Sequence, residues 1–464
     1  MSRIIPAYQS KFLLACLLFP LVSISLSSAP SVYPTGTTIY NLDKAWSGYT
    51  IFRIPGNEGD VLIDMNGREV RRWSHTAGYP ARILPGGNFM GSMGNLSPHQ
   101  DLIALIQWDW DGNEVWRFDR LQQVETKDGN TIWAARQHHD WQREGNPVGY
   151  YTPGADPLVD RGKTLILAHK KLMAPAITDK RLDDDYIVEV SWDGEILWEW
   201  LASDHFDEFG FDQDSKDAIR NAVKYSEETQ AFDWLHINSA TYVGPNIWYD
   251  QGDQRFHPDN IIISGREANL IAIISRAGNI VWKMGPDFRS DDKHMAIGQI
   301  IGQHHPHIIP KDLPGAGNLM VFDNGGSAGY GAPNPLAPDG VSTLTRFTSR
   351  VIEFNPVTFE LMWEYAPAGR ANYQFFSRNV SSAQRLPNGN TLITEGAEGR
   401  LFEVTAEKEI VWEYMMPYFE GNTYPVSRTY RAYRVPYDWI PQLNQPEERA
   451  VVPPSLPDFR IEPQ

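Results

Sequence analysis

VLIDMNGREVRRW, residues 61–73, is an apolar strand, a turn carrying Asn66-Gly67, and a return strand ending in Trp73. The pattern recurs as LIQWDWDGNEVW at 105–116, YIVEVSWDGEILW at 186–198 and LIAIISRAGNIVW at 270–282. It returns again as RVIEFNPVTFELMW at 350–363 and RLFEVTAEKEIVW at 400–412. Asn-Gly and Asp-Gly supply the positive φ of two-residue hairpin turns, and the alternation of apolar and polar residues buries one face of each strand. A second strand–turn–strand signal lies between the hairpins: ILPGGNFMGS at 83–92, LPGAGNLMVFDNG at 313–325 and RLPNGNTLITEG at 385–396. One unit therefore holds about four strands, and such units repeated around an axis are propeller blades.

The expected fold is all-β: a six-bladed β-propeller of four-stranded blades with long inter-strand insertions. Seven blades, with strands near Thr38 to Ile51 helping to close the ring, and two separate β domains are the alternatives. A bare blade needs roughly 40–50 residues. The steps Trp116 to Trp198, Trp198 to Trp282 and Trp282 to Trp363 are well beyond that, so insertions fall there. One spans 204–232, where DAIRNAVKYSEETQ reads as a helix; another is the Gly/Pro-rich loop at 325–340. The Pro-rich segment after Tyr418 is expected to pack along the outside.

Composition narrows the class. With 464 residues, 42% hydrophobic and 12% aromatic, the chain can bury a large core and does not read as disordered. Its net charge of −17 argues against nucleic acid and against adhesion to an anionic membrane surface. The single cysteine, Cys16, lies in the apolar run Phe12 to Leu26. That run, followed by Ser27, Ser28 and Ala29, reads as a secretory signal peptide at 1–29; a lipobox at Cys16 and an uncleaved anchor are the other readings. The propeller is then assigned to 30–440 and a Pro-rich C-terminal tail to 441–464. No other stretch could span a membrane, so the expected location is secreted or periplasmic.

All twelve histidines lie between His75 and His307. Aligned on the Leu-Pro-x-Gly-Asn turn, three successive inner strands begin with histidine: His138 and His139, then His236, then His304, His305 and His307. The matching segments elsewhere carry Tyr79 and Arg82, or Arg378, Asn379, Ser381 and Ser382. Inner strands face the axis, so these side chains converge at one mouth, where histidine can act as acid, base or nucleophile. Arg266, just before a hairpin, is placed to clamp an anion there. The candidate catalytic residues are His236, His304, His305 and His138; those for substrate binding are Arg266, His139, Asn238, Tyr79 and Arg378. A zinc site on His304, His305 and His307 is a further reading, with no residue in the sequence to name as orienting those imidazoles, and the run Asp183-Asp184-Asp185 reads as solvated charge rather than a calcium site. No metal and no cofactor are expected.

These residues carry a resemblance. YNLDKAWSGYTIF, FDWLHINSATYV, SGREANLIAIISRAGNIVW, GQHHPHIIP, SSAQRLPNGNTLITEG and YRAYRVPYDW, in this order, resemble the secreted bacterial arylsulfate sulfotransferases over most of residues 35–440. The resemblance implies a six-bladed propeller that moves a sulfuryl group from a phenyl sulfate to a phenol through a sulfohistidine, without a nucleotide. It implies site roles for His236 and His304. Two features depart from it. The arginine that family carries shortly after the FDNG segment is replaced by Gly326, Ser327 and Ala328. The late-blade nucleophilic histidine is absent, since no histidine follows His307. Arg378 and Ser381 stand in its place, and the role could pass to His304 or His305, with His138 a further candidate base. The expected partners are a phenolic sulfate donor and a phenol acceptor. An acidic or sulfated polysaccharide, stacked on Trp141 and Trp234, and a non-catalytic binding propeller are the competing readings.

Overall fold

The structure is a computed structural model that describes residues 35–453 apart from 57, 97–100, 127, 290, 368–374, 422 and 424. The proposed signal peptide and the end of the C-terminal tail lie outside the described residues.

All six Trp-ended repeats form antiparallel hairpins, with one correction to their turns. Gly67, Gly112, Gly194 and Gly278 have positive φ, while Asn66, Asp111, Asp193 and Ala277 before them do not. Gly67, Gly112, Gly194 and Gly278 donate their N–H three residues back, to Asp64, Asp109, Ser191 and Ser275. Every one of the six hairpins then slips register by one residue on leaving the turn. This is the type I turn closed by a left-handed bulge residue, which needs positive φ once rather than twice. Phe359 and Lys408 occupy the left-handed position in the last two hairpins, with φ of 62° and 72°.

Among the described residues the strands form three four-stranded sheets, one of five, one of eight and two small pairs. All neighbouring strands pair antiparallel, and the arrangement is propeller-like. Each larger unit is led by an inner strand: Ala77–Leu84, Gln137–Arg143, Ile237–Tyr242, His304–Ile308, Ser382–Arg385 and Ala432–Val435. The eight-stranded sheet joins two such units through one pairing, Gln137 with Leu102.

The segment after Tyr418 does not simply line the outside. Ala432–Val435 pairs with Tyr49–Arg53 and is the inner strand of the sheet holding the first hairpin. Gly36–Tyr40 pairs with Ile410–Met415 and forms the outer edge of the sheet holding the last one. Both chain ends thus cross the same seam. Farther on, Val451 exchanges backbone hydrogen bonds with Tyr40.

The repeated tryptophans fasten neighbouring hairpins. The indole N–H of Trp116 donates to Trp192 O at 2.8 Å, Trp198 to Arg276 O at 3.0 Å and Trp282 to Pro356 O at 2.8 Å. Trp363 donates to Ala406 O and Trp412 to Met65 O, both at 2.8 Å. Each acceptor sits at the following hairpin's turn, and Trp412 reaches back to the first. Trp73 instead stacks on Phe89 with 4.3 Å between ring centroids. Buried apolar side chains from adjacent sheets fill the spaces between them, as where Trp73, Phe89, Ile106 and Tyr433 share one cluster.

The insertions depart from expectation. The helix runs Gln213–Arg220, capped by Asp212, and stops near Ala222, whose φ is 46°. The Gly/Pro-rich loop contains a hairpin, Gly326–Tyr330 with Val341–Arg346. Tyr330 donates its hydroxyl to Trp234 O at 2.6 Å, tying that hairpin to the segment before His236. No helix among the described residues is long and apolar enough to cross a membrane.

Candidate functional site

The inner strands are irregular where the histidines fall. Their register slips between Gln137 and Trp141, between Ile237 and Ala240, and between His304 and His307. His139, His236 and His305 have φ of 55°, 51° and 54°. A left-handed backbone costs a residue with a Cβ roughly 1–2 kcal/mol, and such strain held at a bulge re-aims side chains where function needs them.

His138, His139, His236 and His304 form one cluster. The Nδ1 atoms of His138 and His139 are 2.9 Å apart, and the rings of His139 and His236 meet edge to face at 4.8 Å. Tyr430 lies 5.5 Å from the His139 ring and 6.2 Å from the His304 ring. Tyr79 stacks on Tyr430 at 4.2 Å and meets His139 at 5.5 Å. Asn238 is buried and donates from Nδ2 to Gln303 O at 2.8 Å.

Each imidazole is tuned by its partner. His236 Nδ1 donates to Asp233 Oδ2 at 2.5 Å. Burial opposes a charge on His236, but the Asp233 carboxylate outweighs it and holds the imidazole above its ordinary value. His236 and Asp233 retain solvent contact, at 19% and 29% of their side chains, whereas His138, His139 and His304 are buried. His304 is the opposite case. Its Nδ1 faces two acceptors, Asn324 Oδ1 at 2.7 Å and Gly302 O at 3.0 Å. The Asn324 amide is oriented by its own Nδ2, which donates to Ser377 O and Val380 O. Nδ1 of His304 therefore carries the proton, and Nε2 presents the lone pair. Burial, reinforced by the Arg266 charge, pushes His304 well below its ordinary value and keeps it neutral.

Arg266 ion-pairs with Glu267, and its Nη2 lies 3.5 Å from Ser327 O. Its backbone N–H donates to His236 O at 3.1 Å. Beneath the cluster Asp140 is clamped by Arg82 at 2.8 Å and Arg431 at 3.0 Å. Arg431 and Tyr430 both donate to Asn238 O, at 2.7 and 2.6 Å.

Other expected site residues fall elsewhere. His305 donates from Nδ1 to Ala383 O and belongs with His307, Tyr150 and Tyr433. Tyr150 donates its hydroxyl to His307 Nε2 at 3.0 Å, so His304, His305 and His307 do not converge on one point. Arg378 is exposed on the loop before Ser382–Arg385. Ser381 is buried, donating to Ser377 Oγ and accepting from Gly396 N–H. Trp141 and Trp234 are core residues whose indoles donate to Pro80 O and Asp184, which removes them as stacking platforms. The Asp183-Asp184-Asp185 run is buried rather than solvated. Asp183 pairs with Arg136, Asp184 accepts from Trp234 and Ser203, and Asp185 accepts from Ile237 N–H.

Asp233, His169, Asp101 and Tyr430 also belong to the site, although no motif singles them out in the sequence. Asp233 and Tyr430 stand inside segments quoted for the resemblance. His169 is a lone histidine in an apolar strand and gave no signal. Surface cavities of about 490, 660 and 560 Å³ are lined by other residues and include none of these histidines.

The family model described as Arylsulfotransferase (ASST) matches residues 157–424. His169, His236 and His304 lie inside that span; His138, His139 and Tyr430 lie outside it. No curated protein matches the chain. Among solved structures, a protein of unknown function from Bacteroides caccae is 10% identical with a TM-score of 0.41, covering 84% of this chain and 99% of its own. A putative 6-phosphogluconolactonase from Bacteroides fragilis is 8% identical with a TM-score of 0.37, covering 84% and 98%. A virginiamycin B lyase from Staphylococcus aureus is 10% identical with a TM-score of 0.32, covering 77% and 95%. Similarity at this level says nothing about activity.

Proposed function

The chain belongs to the arylsulfotransferase family, and on that premise we propose that it transfers a sulfuryl group from a phenolic sulfate to a phenol, with His304 as nucleophile. The observation that carries this reading is the fixed tautomer of His304, neutral with its Nε2 lone pair free of the proton on Nδ1. Nε2 attacks sulfur, the sulfur–aryloxy bond breaks, and the leaving phenolate takes a proton from His236 Nε2. The acceptor phenol then returns a proton to His236 as its oxygen attacks sulfur and displaces His304. Asp233 holds His236 in the protonated form this requires.

Arg266 supplies the cationic clamp. Its guanidinium reaches Ser327 O, in the segment where the related enzymes carry their arginine. His139, Tyr79 and Tyr430 form an aromatic wall suited to a phenyl ring. His138 is read as support for His139 and not as the base. A polysaccharide substrate finds no favouring observation. A secreted or periplasmic site of action goes with the family reading.

We also propose that these units make six blades. The single pairing between Gln137 and Leu102 supports dividing the eight-stranded sheet in two, and the Trp412–Met65 bond supports a closed ring.

The test is release of 4-nitrophenolate from 4-nitrophenyl sulfate, with and without a phenol acceptor. Wild-type protein is expected to show acceptor-dependent release, His304→Ala none, and His236→Ala roughly 100-fold less or lower still. Mass spectrometry of donor-treated enzyme is expected to place the sulfuryl group on His304. Release that survives in His304→Ala removes the nucleophile assignment; no release from folded wild type removes the activity.

A further inference from the structure

We propose that His138, His169 and Asp185 bind one divalent first-row transition-metal ion of the zinc type. His169 and Asp185 are direct cross-strand partners on Thr164–Met173 and Arg181–Val190. His138 lies on Gln137–Arg143, which pairs with the first of these strands. One ligating atom from each residue falls within 4.8 Å of the other two.

The nitrogens are committed in a specific way. His169 Nδ1 donates to Asp101 Oδ1 at 2.6 Å, and His138 Nδ1 is engaged by His139 at 2.9 Å. That leaves both Nε2 atoms facing Asp185 Oδ1, at 3.9 Å for His169 and 3.5 Å for His138. Both Nε2 atoms are fully buried and make no hydrogen bond among the described residues. Buried polar atoms are seldom left so, and two aimed at one carboxylate mark a cation position.

The donor set suits the ion. Two imidazoles and one carboxylate, with a position open, are ligands for zinc and its neighbours, whereas calcium and magnesium require oxygens. Asp101 behind His169 is the carboxylate–histidine arrangement that orients metal-bound imidazoles. Asp101 and Asp185 place carboxylates directly against the two rings, so a cation between them meets negative charge on two sides. The two rings stack at 3.7 Å with 16° between planes. Bringing both lone pairs onto one ion requires the two rings to tilt out of that stack, with His169 Nδ1 kept on Asp101. Ligand atoms on one tetrahedral ion stand about 3.3 Å apart, so the contraction is small.

Binding is read directly and does not depend on sulfuryl transfer. The full chain is stripped with a chelator and titrated separately with Zn²⁺ and Co²⁺, by calorimetry and by cobalt absorption. One equivalent of each is expected to bind, Zn²⁺ to displace Co²⁺, and Tm to rise on loading. His138→Gln and His169→Gln are expected to abolish the one-equivalent binding. Asp101→Asn keeps the stoichiometry and weakens affinity roughly 10–100-fold, while His257→Ala changes nothing. X-ray absorption of zinc-loaded wild type, which needs no variant to fold, is expected to show two imidazole ligands. Absence of saturable binding, binding that survives in both histidine variants, or a spectrum without imidazole overturns the proposal.

Discussion

At the scale of single residues, Asp233 sets what His236 can do. Their contact raises the imidazole above its ordinary value of about 6.5. The stabilisation this pair gives the fold is complete below that ordinary value and is lost as pH rises through the raised one. Asp233→Asn removes the carboxylate, so the alkaline limb of the kcat–pH profile is expected to move to lower pH. A profile measured on wild type and variant checks this, and an unmoved limb would show that His236 is not the acid. His236 was legible because it stands at a strand start in phase with two other histidines. Asp233 is three residues earlier in the same segment, but a carboxylate before a strand has no sequence signature. The acidic run at 183–185 misled for a physical reason. Three aspartates in a row look solvated until Arg136, Trp234 and the Ile237 backbone are brought to them from other parts of the chain.

At the scale of elements, the Trp-ended hairpin was legible in all six copies because the alternation and the closing tryptophan are local, with a turn glycine added in the first four. The finer turn geometry was not, since a Gly in either turn type looks the same in sequence. The structure makes the last hairpin its weak member. Lys408 holds the left-handed position with φ of 72° and is exposed, whereas the first four hairpins place glycine there. Lys408→Gly is expected to stabilise the protein by up to about 1 kcal/mol by relieving that strain. Urea unfolding of the two proteins measures it, with an unchanged slope and a higher midpoint as the expected result. Phe359 holds the same position in the preceding hairpin but stacks on Trp282 at 5.7 Å, so glycine there would forfeit packing.

At the scale of the whole molecule, the sequence indicated a repeated ring and left its closure obscure. Ala432–Val435 is short, and its pairing partner lies at the far end of the chain, beyond the reach of any local pattern. A chain ending at 428 lacks that inner strand and presents Tyr49–Arg53 as an unpaired edge against the axial channel. It is expected to aggregate or lose cooperative unfolding, as checked by size-exclusion chromatography and a thermal melt. A soluble, cooperatively folding truncation would show that the strand is dispensable. The seam also fixes a sequence of events. The sheet holding Tyr49–Arg53 must wait for residues 432–435, which are synthesised long after it, before its centre exists. Completion of that sheet is therefore dominated by contacts between distant parts of the chain and correspondingly slow. Until that late strand arrives, the nascent protein remains an open, threadable polypeptide.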